Sequence, residues 1–341
     1  MRQRDNRFAA ILAVRRISSG QRGGFPVLRD VKRWMWAAVS AAVLASAAAA
    51  AEPQTILFVG NSFTFGATSA VRLYRAETVH DLNGTGMGGV PALFKTMTAE
   101  AGLDYDVSIE AIGGADLQRH LTEKYLTIAR PWDAVVLQSY STLDRAAPGD
   151  PASLVRSVAA LSNRLVVENP NVRIYATATW PRADLIYRIP SPWYHAGIDR
   201  MTVDIRRAYD EAKSASPWLT AVLPVGQAFG CAMHSGVAVD NPYRGVPFGK
   251  IDLWSWDQYH ASIYGYYLEA LIAFGGITGR DPRSLGASET SAADLGISPT
   301  QAAALQVIAF ETLAQQSEAG LVRRQGAVCK TIGSGRPSRK P

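Results

Sequence analysis

The sequence has little of what builds a metal centre or a disulfide framework. Its 341 residues include only two cysteines, Cys231 and Cys329, and five histidines. Two thiols exclude a framework of several disulfides and a zinc site built on cysteine. The five histidines are His80, His120, His195, His234 and His260. They share no metal-ligand spacing, so we expect no bound metal. In an oxidising compartment, Cys231 and Cys329 either pair with each other or remain free thiols.

The central part of the chain is not basic, although the formal charge of the whole chain is +6. Residues 1–51 hold nine lysines and arginines against two aspartates, and six more basic residues follow Gly320. The part between them, 52–320, has 20 basic and 27 acidic residues, a net charge of −7. Binding of nucleic acid through a basic surface is therefore excluded as the main function, because that interaction depends on neutralising phosphates.

The positive charge at the amino end belongs to a segment with the features of a secretory signal peptide. The basic "VKRW" precedes an uncharged, alanine-rich run from Met35 to Ala51. A charged start, an apolar middle and small residues before the cut define such a leader. Residues 1–51 are predicted to be a leader cleaved near Ala50 or Ala51, and the mature protein to be exported, periplasmic or secreted. The alternative is a membrane anchor, but so many alanines make a weakly hydrophobic span, and no stable span is expected after cleavage.

Short apolar runs alternate with longer helical patterns along the rest of the chain. Five runs are predicted to be strands: 55–61, 105–114, 133–139, 173–180 and 220–229. Six segments with helical spacing or caps lie among them: 89–103, 115–129, 150–169, 195–215, 262–276 and 298–316. The alternation predicts an α/β domain over 52–316, with a parallel sheet between two layers of helices. The basic tail, 317–341, is expected to be flexible.

Polar or small residues follow three of the predicted strands at the point where each strand ends. Ser62 follows the first strand, Gly113-Gly114 the second and Gln138 the third. Ligands of parallel α/β sheets bind beyond the carboxyl ends of the strands, so these residues are expected to meet at one edge. On its own, a serine at such a place more often caps a turn. As a nucleophile it requires a neighbouring base.

Among the histidines, His260 has the setting of a catalytic base. It lies in "WSWDQYHASIYGYYLEAL", after the fifth strand and directly before a helix, and Asp257 precedes it by three residues. One loop can then present both side chains, with the carboxylate orienting the imidazole. A D-x-x-H match alone is common, so the prediction depends on its place late in the α/β pattern.

Four blocks in this order give the chain a resemblance to the SGNH/GDSL hydrolase superfamily: "FVGNSFTFG", "AIGGADL", "DAVVLQSYS" and "DQYHASIYGYYL". The resemblance implies a three-layer α/β/α sandwich with a flavodoxin-like, five-stranded parallel sheet, and a Ser-His-Asp esterase mechanism. It implies Ser62 as the nucleophile, His260 as the base and Asp257 as its orienting carboxylate. The backbone N–H groups of Ser62 and Gly114 are expected to face the oxyanion, although Gly113 is an alternative source of the second.

Two departures from the family pattern bear on the site. The first block usually reads Gly-Asp-Ser, and here Asn61 stands in place of the aspartate. That aspartate is not the triad acid, so Asn61 is expected to fill its hydrogen-bonding place. The third block lacks the usual Gly-x-Asn-Asp, whose asparagine donates to the oxyanion. The side-chain amide of Gln138 is expected to donate instead, and a hole with two donors is the alternative.

The expected function is that of an exported serine esterase acting on a small-molecule or carbohydrate ester, such as a sugar O-acetate. Aromatic loops at 180–195 and 254–256 suggest a cleft for sugar rings or acyl groups, although core packing explains single tryptophans as well. The glycine-rich loop 83–91 lacks the Lys-Ser/Thr ending of a phosphate loop and is expected to be a flexible rim loop, so no cofactor is implied. A glycan-binding protein without activity, and a lipase or thioesterase of the same fold, stay open as alternatives.

Overall fold

A computed structural model describes residues 52–317 and Cys329 of the chain. The predicted signal peptide, and the predicted flexible tail apart from Cys329, lie outside the described residues. Cys231 and Cys329 form a disulfide, with their Cα atoms 4.9 Å apart. Of the two alternatives for the cysteines, the structure therefore has the paired one.

Six parallel strands form one sheet in the order β2-β3-β1-β4-β5-β6. They are β1 (Gln54–Gly60), β2 (His80–Asp81), β3 (Tyr105–Ala111), β4 (Ala134–Leu137), β5 (Arg173–Thr177) and β6 (Leu219–Leu223). Without the two-residue edge strand β2, this is the order of a flavodoxin-like sheet, and the five predicted strands are confirmed. The four residues 56–59 of the central strand are each at most 2% exposed, because helices cover both faces of the sheet.

The helices form a layer on each face of the sheet. Within residues 52–317 the α-helices are α1 (Gly89–Glu100), α2 (Leu117–Glu123), α3 (Tyr125–Ile128), α4 (Ala152–Glu168), α5 (Ala183–Tyr187), α6 (Ile198–Ala215), α7 (Val225–His234), α8 (Ile263–Thr278), α9 (Thr290–Asp294) and α10 (Pro299–Ser317). Helix α8 packs against α1 and α10 in one layer, and α4 packs against α2 and α6 in the other. This is the predicted α/β/α sandwich. In the described part of the chain, every helix is too short or too polar to cross a bilayer.

Several element boundaries differ from the sequence prediction, and the largest differences are at β6 and in the segment 115–129. Strand β6 ends at Leu223 instead of continuing to residue 229, because Pro224 has no N–H to donate to the sheet. Helix α7 begins directly after this proline. The segment 115–129, predicted to be a single helix, is divided into α2 and α3, since Lys124 leaves the helical conformation with φ −124° and ψ 5°.

Helix α8 determines where the segment before it lies. Its N-cap is Ser262, whose hydroxyl accepts hydrogen bonds from the N–H groups of Tyr264 and Gly265. It ends at Gly279, which has a left-handed conformation. Most of its residues are buried, as expected for a helix that is apolar all round. A capped and buried α8 thus fixes the loop that carries His260.

Candidate active site

Ser62 lies in a tight turn that the chain makes directly after β1. The carbonyl oxygen of Asn61 accepts hydrogen bonds from the N–H groups of Thr64 and Phe65, at 3.0 and 3.1 Å. Gly60 is required before this turn, because a Cβ atom there would overlap the hydroxyl of Thr64. The turn holds Ser62 at the carboxyl edge of the central strand, where it is 8% exposed.

Asp257 and His260 lie in a short loop that leads into α8. The ends of this loop are joined by an antiparallel bridge between Trp254 and Ala261. Oδ2 of Asp257 lies 2.6 Å from Nδ1 of His260, and Oδ1 accepts from the backbone N–H of His260 at 2.9 Å. Gln258 has φ 55°, a left-handed conformation that turns the chain between the two residues. One loop thus presents both side chains, with the imidazole bonded through Nδ1.

The carboxyl group of Asp257 is held in its ionised form. Burial raises its pKa, as it does for any carboxyl group moved out of water. Hydrogen bonds from the His260 ring and from the N–H groups of His260 and Tyr259 outweigh burial, so the net pKa of Asp257 is lowered. An ionised Asp257 accepts from a protonated Nδ1, which favours the imidazole tautomer whose Nε2 carries a lone pair.

The Ser62 turn and the His260 loop lie next to each other. The Tyr266 hydroxyl, in the first turn of α8, donates to the carbonyl oxygen of Ser62 at 3.3 Å. The ring of Phe63, the residue after Ser62, has its centroid 5.7 Å from that of the His260 ring. Nε2 of His260 is buried and has no hydrogen-bond partner within residues 52–317. The structure therefore brings the expected nucleophile and base to one edge of the sheet.

Tyr259 is a member of this site that the motifs did not identify. Its hydroxyl lies near the side chains of Ser62 and Ser141, and its ring centroid lies 4.1 Å from that of His260. Cζ of Arg182 lies 3.7 Å from the centroid of the tyrosine ring. Burial raises the pKa of Tyr259, so its hydroxyl stays protonated. Its place directly before the histidine was the one signal in the sequence.

The loop after β3 brings Gly113 and Gly114 towards the Ser62 turn. A Cβ atom on Gly113 would lie 3.9 Å from the ring of Phe65. Gly114 has φ 69°, a conformation that favours glycine. Among the residues described, no acceptor takes a backbone hydrogen bond from Ser62 or Gly114. Stabilisation of an oxyanion requires N–H groups that have no other acceptor.

Asn61 connects the three strand ends at the site. Its Nδ2 donates to the carbonyl oxygens of Ala115 and Ser139, at 2.8 and 3.2 Å. Its Oδ1 accepts from the N–H of Phe63 at 3.1 Å. An ionised aspartate has no N–H and would face both carbonyl oxygens without a proton to share. The amide is therefore the form that these two carbonyl groups require.

The side-chain amide of Gln138 is hydrogen bonded within the protein, whereas the sequence predicts that it donates to the oxyanion. Its Oε1 accepts from the Asn61 N–H and from the Thr64 hydroxyl, each at 3.0 Å, and its amide nitrogen donates to the carbonyl oxygen of Ser139. The residue is 1% exposed. Its carboxamide thus supports the Ser62 turn from below. This geometry departs from the expected side-chain donor to the oxyanion.

The aromatic loops expose fewer tryptophans than the sequence suggests. Trp180, Trp193 and Trp254 are 0%, 1% and 2% exposed, so core packing accounts for them. Trp256, directly before Asp257, is 80% exposed. Of the tryptophans in these two loops, Trp256 is therefore the one whose ring is available to a ligand.

The glycine-rich loop 83–91 is organised around a carboxylate. Asp81 accepts from the N–H groups of Asn83, Thr85 and Met87, at 2.9, 2.7 and 3.2 Å. The N–H groups that a bound phosphate would need are thereby already occupied. The loop is held by these bonds, which differs from the flexible rim loop that the sequence predicts.

Three other histidines form pairs with carboxylates of their own. His120 forms a fully buried pair with Glu110. His80 and His234 each pair with one aspartate, at 2.9 and 3.0 Å. In the part of the chain that the structure describes, no three His, Cys, Asp or Glu residues cluster as metal ligands.

Solved structures share the fold of this chain. A DUF4886 family protein from Bacteroides uniformis is 17% identical, over 79% of this chain and 98% of that one, with a TM-score of 0.53. A candidate GDSL-like lipase from Parabacteroides merdae is 18% identical, over 66% and 95%, with a TM-score of 0.45. Phospholipase A1 from Streptomyces albidoflavus is 16% identical, over 65% and 99%, with a TM-score of 0.38. No family model and no curated protein matches this chain.

Proposed function

We propose that this chain is an ester hydrolase of the SGNH type, with Ser62 as nucleophile, His260 as base and Asp257 as the carboxylate that orients His260. The proposal rests on how the loop with Asp257 and His260 lies relative to the Ser62 turn. His260 is bonded to Asp257 through Nδ1, its Nε2 has no partner within residues 52–317, and its ring lies beside the Ser62 turn. The four sequence blocks add support, because they occur in the order and at the strand ends that the family pattern requires.

In the proposed reaction, Oγ of Ser62 attacks the carbonyl carbon of the ester while Nε2 of His260 takes the hydroxyl proton. The carbonyl oxygen becomes an oxyanion, which the N–H groups of Ser62 and Gly114 stabilise. Collapse of the intermediate breaks the bond to the alcohol, which leaves with the proton from His260, and Ser62 stays acylated. Water then gives a proton to His260 and attacks the acyl group, which releases the acid and restores the serine. Asp257 remains ionised throughout.

The proposed substrate class is a short acyl ester of a carbohydrate, in the first place an O-acetyl group. Trp256 supports this class, because its ring is 80% exposed next to Asp257 and a sugar ring packs well on a flat aromatic surface.

We also propose that the protein is exported. The disulfide between Cys231 and Cys329 supports export, since disulfides persist in oxidising compartments. Amino-terminal sequencing of the mature protein should start near Glu52; a cytoplasmic product that retains Met1 would refute export.

Turnover of p-nitrophenyl acetate tests the proposed chemistry. The wild-type protein should hydrolyse it, and Ser62→Ala should lose turnover by at least about 10³-fold, since nucleophile and base act as a unit. Ser214→Ala, on the exposed side of α6, is the matched control and should behave as wild type. A series of p-nitrophenyl esters should favour acetate over long chains, whereas a preference for long chains would favour a lipase or thioesterase. Unchanged turnover by folded Ser62→Ala would remove the nucleophile, and glycan binding without any ester turnover would favour a binding protein.

A further inference from the structure

Arg145 lies beside the loop that carries Gly114. A Cβ atom on Gly114 would lie 3.5 Å from Nη2 of Arg145. The arginine belongs to the segment after β4, where its Cζ lies 5.4 Å from the centroid of the Tyr140 ring. An exposed guanidinium group is therefore held next to one of the two proposed oxyanion donors.

The carboxylates near Arg145 have other partners. The adjacent Asp144 accepts from the N–H groups of Ala146 and Ala147, at 2.7 and 2.8 Å. Asp116, which acts on Arg145 only through its charge at a distance, caps the start of α2. Within the described residues, Arg145 thus forms no ion pair.

A second arginine near the site, Arg182, differs from Arg145 because it has a carboxylate partner. Arg182 lies under Tyr259 and is paired with Asp184 at 2.6 Å, so its charge is balanced within the protein. The charge of Arg145 is balanced by no such partner, although residues 52–320 have an acidic excess of 27 to 20. A guanidinium group with free N–H groups binds a carboxylate through two parallel hydrogen bonds.

We propose that Arg145, together with the Tyr140 hydroxyl, binds a carboxylate group of the substrate next to the scissile ester. The substrate is then an anionic ester. Its charge lies either on the acyl part, as in the hemiester of a dicarboxylic acid, or on the alcohol part, as in an O-acetylated uronic acid. The inference rests on the proposed function, because the N–H of Gly114 defines where the ester carbonyl lies.

A direct contact of Arg145 with the oxyanion is the competing explanation. Donors to an oxyanion act by being held in place before the reaction, and an exposed arginine side chain beside the Tyr140 ring is held less firmly than a backbone N–H. The two roles differ in a measurable way. Contact with the oxyanion accelerates neutral and anionic esters alike, whereas contact with a substrate carboxylate accelerates only the anionic ones.

Two matched substrate pairs separate these roles. The first pair, p-nitrophenyl hemisuccinate and p-nitrophenyl acetate, differs in charge on the acyl part. The second, O-acetylated oligogalacturonate and O-acetylated xylo-oligosaccharide, differs in charge on the alcohol part. We expect wild type to have the higher kcat/KM for the charged member of one pair, and this pair identifies the position of the charge. Arg145→Gln should reduce that preference by about 10- to 100-fold, the usual effect of a hydrogen bond to a charged group. Arg145→Lys should retain part of it.

The controls use salt and a distant arginine. A concentration of about 0.5 M NaCl should lower the preference of wild type, since salt screens an exposed charge pair. Arg207→Gln, on α6 with a side chain 71% exposed, should leave the preference unchanged. The inference is overturned if wild type prefers neither charged ester, or if Arg145→Gln reduces both members of each pair equally.

Binding by an inactive variant separates this inference from the proposed function. If wild type hydrolyses none of the four esters, the proposed function fails, and calorimetric titration of Ser62→Ala with both substrate pairs decides about Arg145. Tighter binding of the charged member of one pair that is lost in Ser62→Ala/Arg145→Gln supports the anion site. Equal binding of the two members of each pair overturns it.

Discussion

Nδ1 of His260 lies 2.6 Å from Oδ2 of Asp257, and the other nitrogen of the ring is buried without a hydrogen-bond partner within residues 52–317. Buried polar atoms are nearly always paired, so an unpaired imidazole nitrogen calls for an explanation. His120 also has an unpaired Nε2, but it is fully buried against Glu110. His260 differs because it lies at the strand edge beside the Ser62 turn, where a free Nε2 suits a base.

Loss of the Asp257 carboxylate should impair catalysis strongly without unfolding the protein. In Asp257→Asn the side-chain amide can donate to Nδ1, which favours the tautomer whose Nε2 carries the proton and cannot act as a base. We expect kcat for p-nitrophenyl acetate to fall on the order of 10³- to 10⁴-fold. Asp210→Asn, an exposed aspartate on α6, is the control and should keep wild-type activity. A drop of less than about tenfold in folded Asp257→Asn would contradict the orienting role.

Replacing Asn61 by aspartate should destabilise the protein, although aspartate is usual in the family pattern. The new carboxylate would face the carbonyl oxygens of Ala115 and Ser139, which now accept from the amide. We expect Asn61→Asp to lose about 2–4 kcal/mol of unfolding free energy at pH 7. The loss should be smaller near pH 4, because the buried carboxyl can then be protonated and donate. Urea unfolding at both pH values measures this, and an unchanged midpoint at pH 7 would show that the amide is dispensable.

The Asp81 carboxylate should make stability depend on pH. Burial raises the pKa of Asp81, but hydrogen bonds from the Thr85 hydroxyl and from the N–H groups of Asn83, Met87 and Thr85 outweigh burial and lower it below 3.8. The folded state then binds fewer protons than the unfolded state in that range. The contribution to stability is complete above the unfolded pKa and is lost as the pH falls through the folded pKa.

Unfolding of Asp81→Asn across the pH range tests this. At pH 7 the variant should lose about 1–2 kcal/mol, because an amide oxygen replaces a charged acceptor. The difference from wild type should shrink as the pH falls below 3.8. Asp104→Asn, whose side chain is 71% exposed, is the control and should show no such change. A difference that is independent of pH would contradict the ionised carboxylate.

Reduction of the disulfide should destabilise the protein. The bond between Cys231 and Cys329 joins positions 98 residues apart and restricts the unfolded chain. We expect dithiothreitol to lower the free energy of unfolding by about 2–4 kcal/mol. Cys329→Ser should have the lower stability without reductant and no response to reductant. Equal stability of oxidised and reduced wild type would mean that the bond does not constrain the unfolded state.

Elements whose pattern is local could be predicted from the sequence. The central strand β1 is a continuous apolar run ending at Gly60, and α8 begins with a serine cap before an apolar stretch. The choice of Ser62 and His260 as candidate site residues rests on their places next to such elements, Ser62 after β1 and His260 before α8. Strand β6 was predicted too long, since apolar residues continue past Pro224 into α7, and periodicity alone does not divide strand from helix there.

The side-chain partners across loops could not be predicted. Gln138 has the right type and position for an oxyanion donor, yet its carboxamide bonds to Asn61 and Thr64, and only the packing of three strand ends decides this. Tyr259 and Arg145 have no motif of their own. Their relation to Ser62 and Gly114 depends on how loops far apart in sequence fold against each other, which neither spacing nor composition encodes.

Reaction with a fluorophosphonate probe tests the central claim most directly, since it reports whether the Ser62 hydroxyl is activated by His260. Peptide mass mapping should find the probe on Ser62 of wild type. Labelling of His260→Ala should be slower by at least about 10³-fold, because the serine has then lost its base. Folded wild-type protein that stays unlabelled at Ser62, or a His260→Ala variant that is labelled as fast as wild type, would contradict the account.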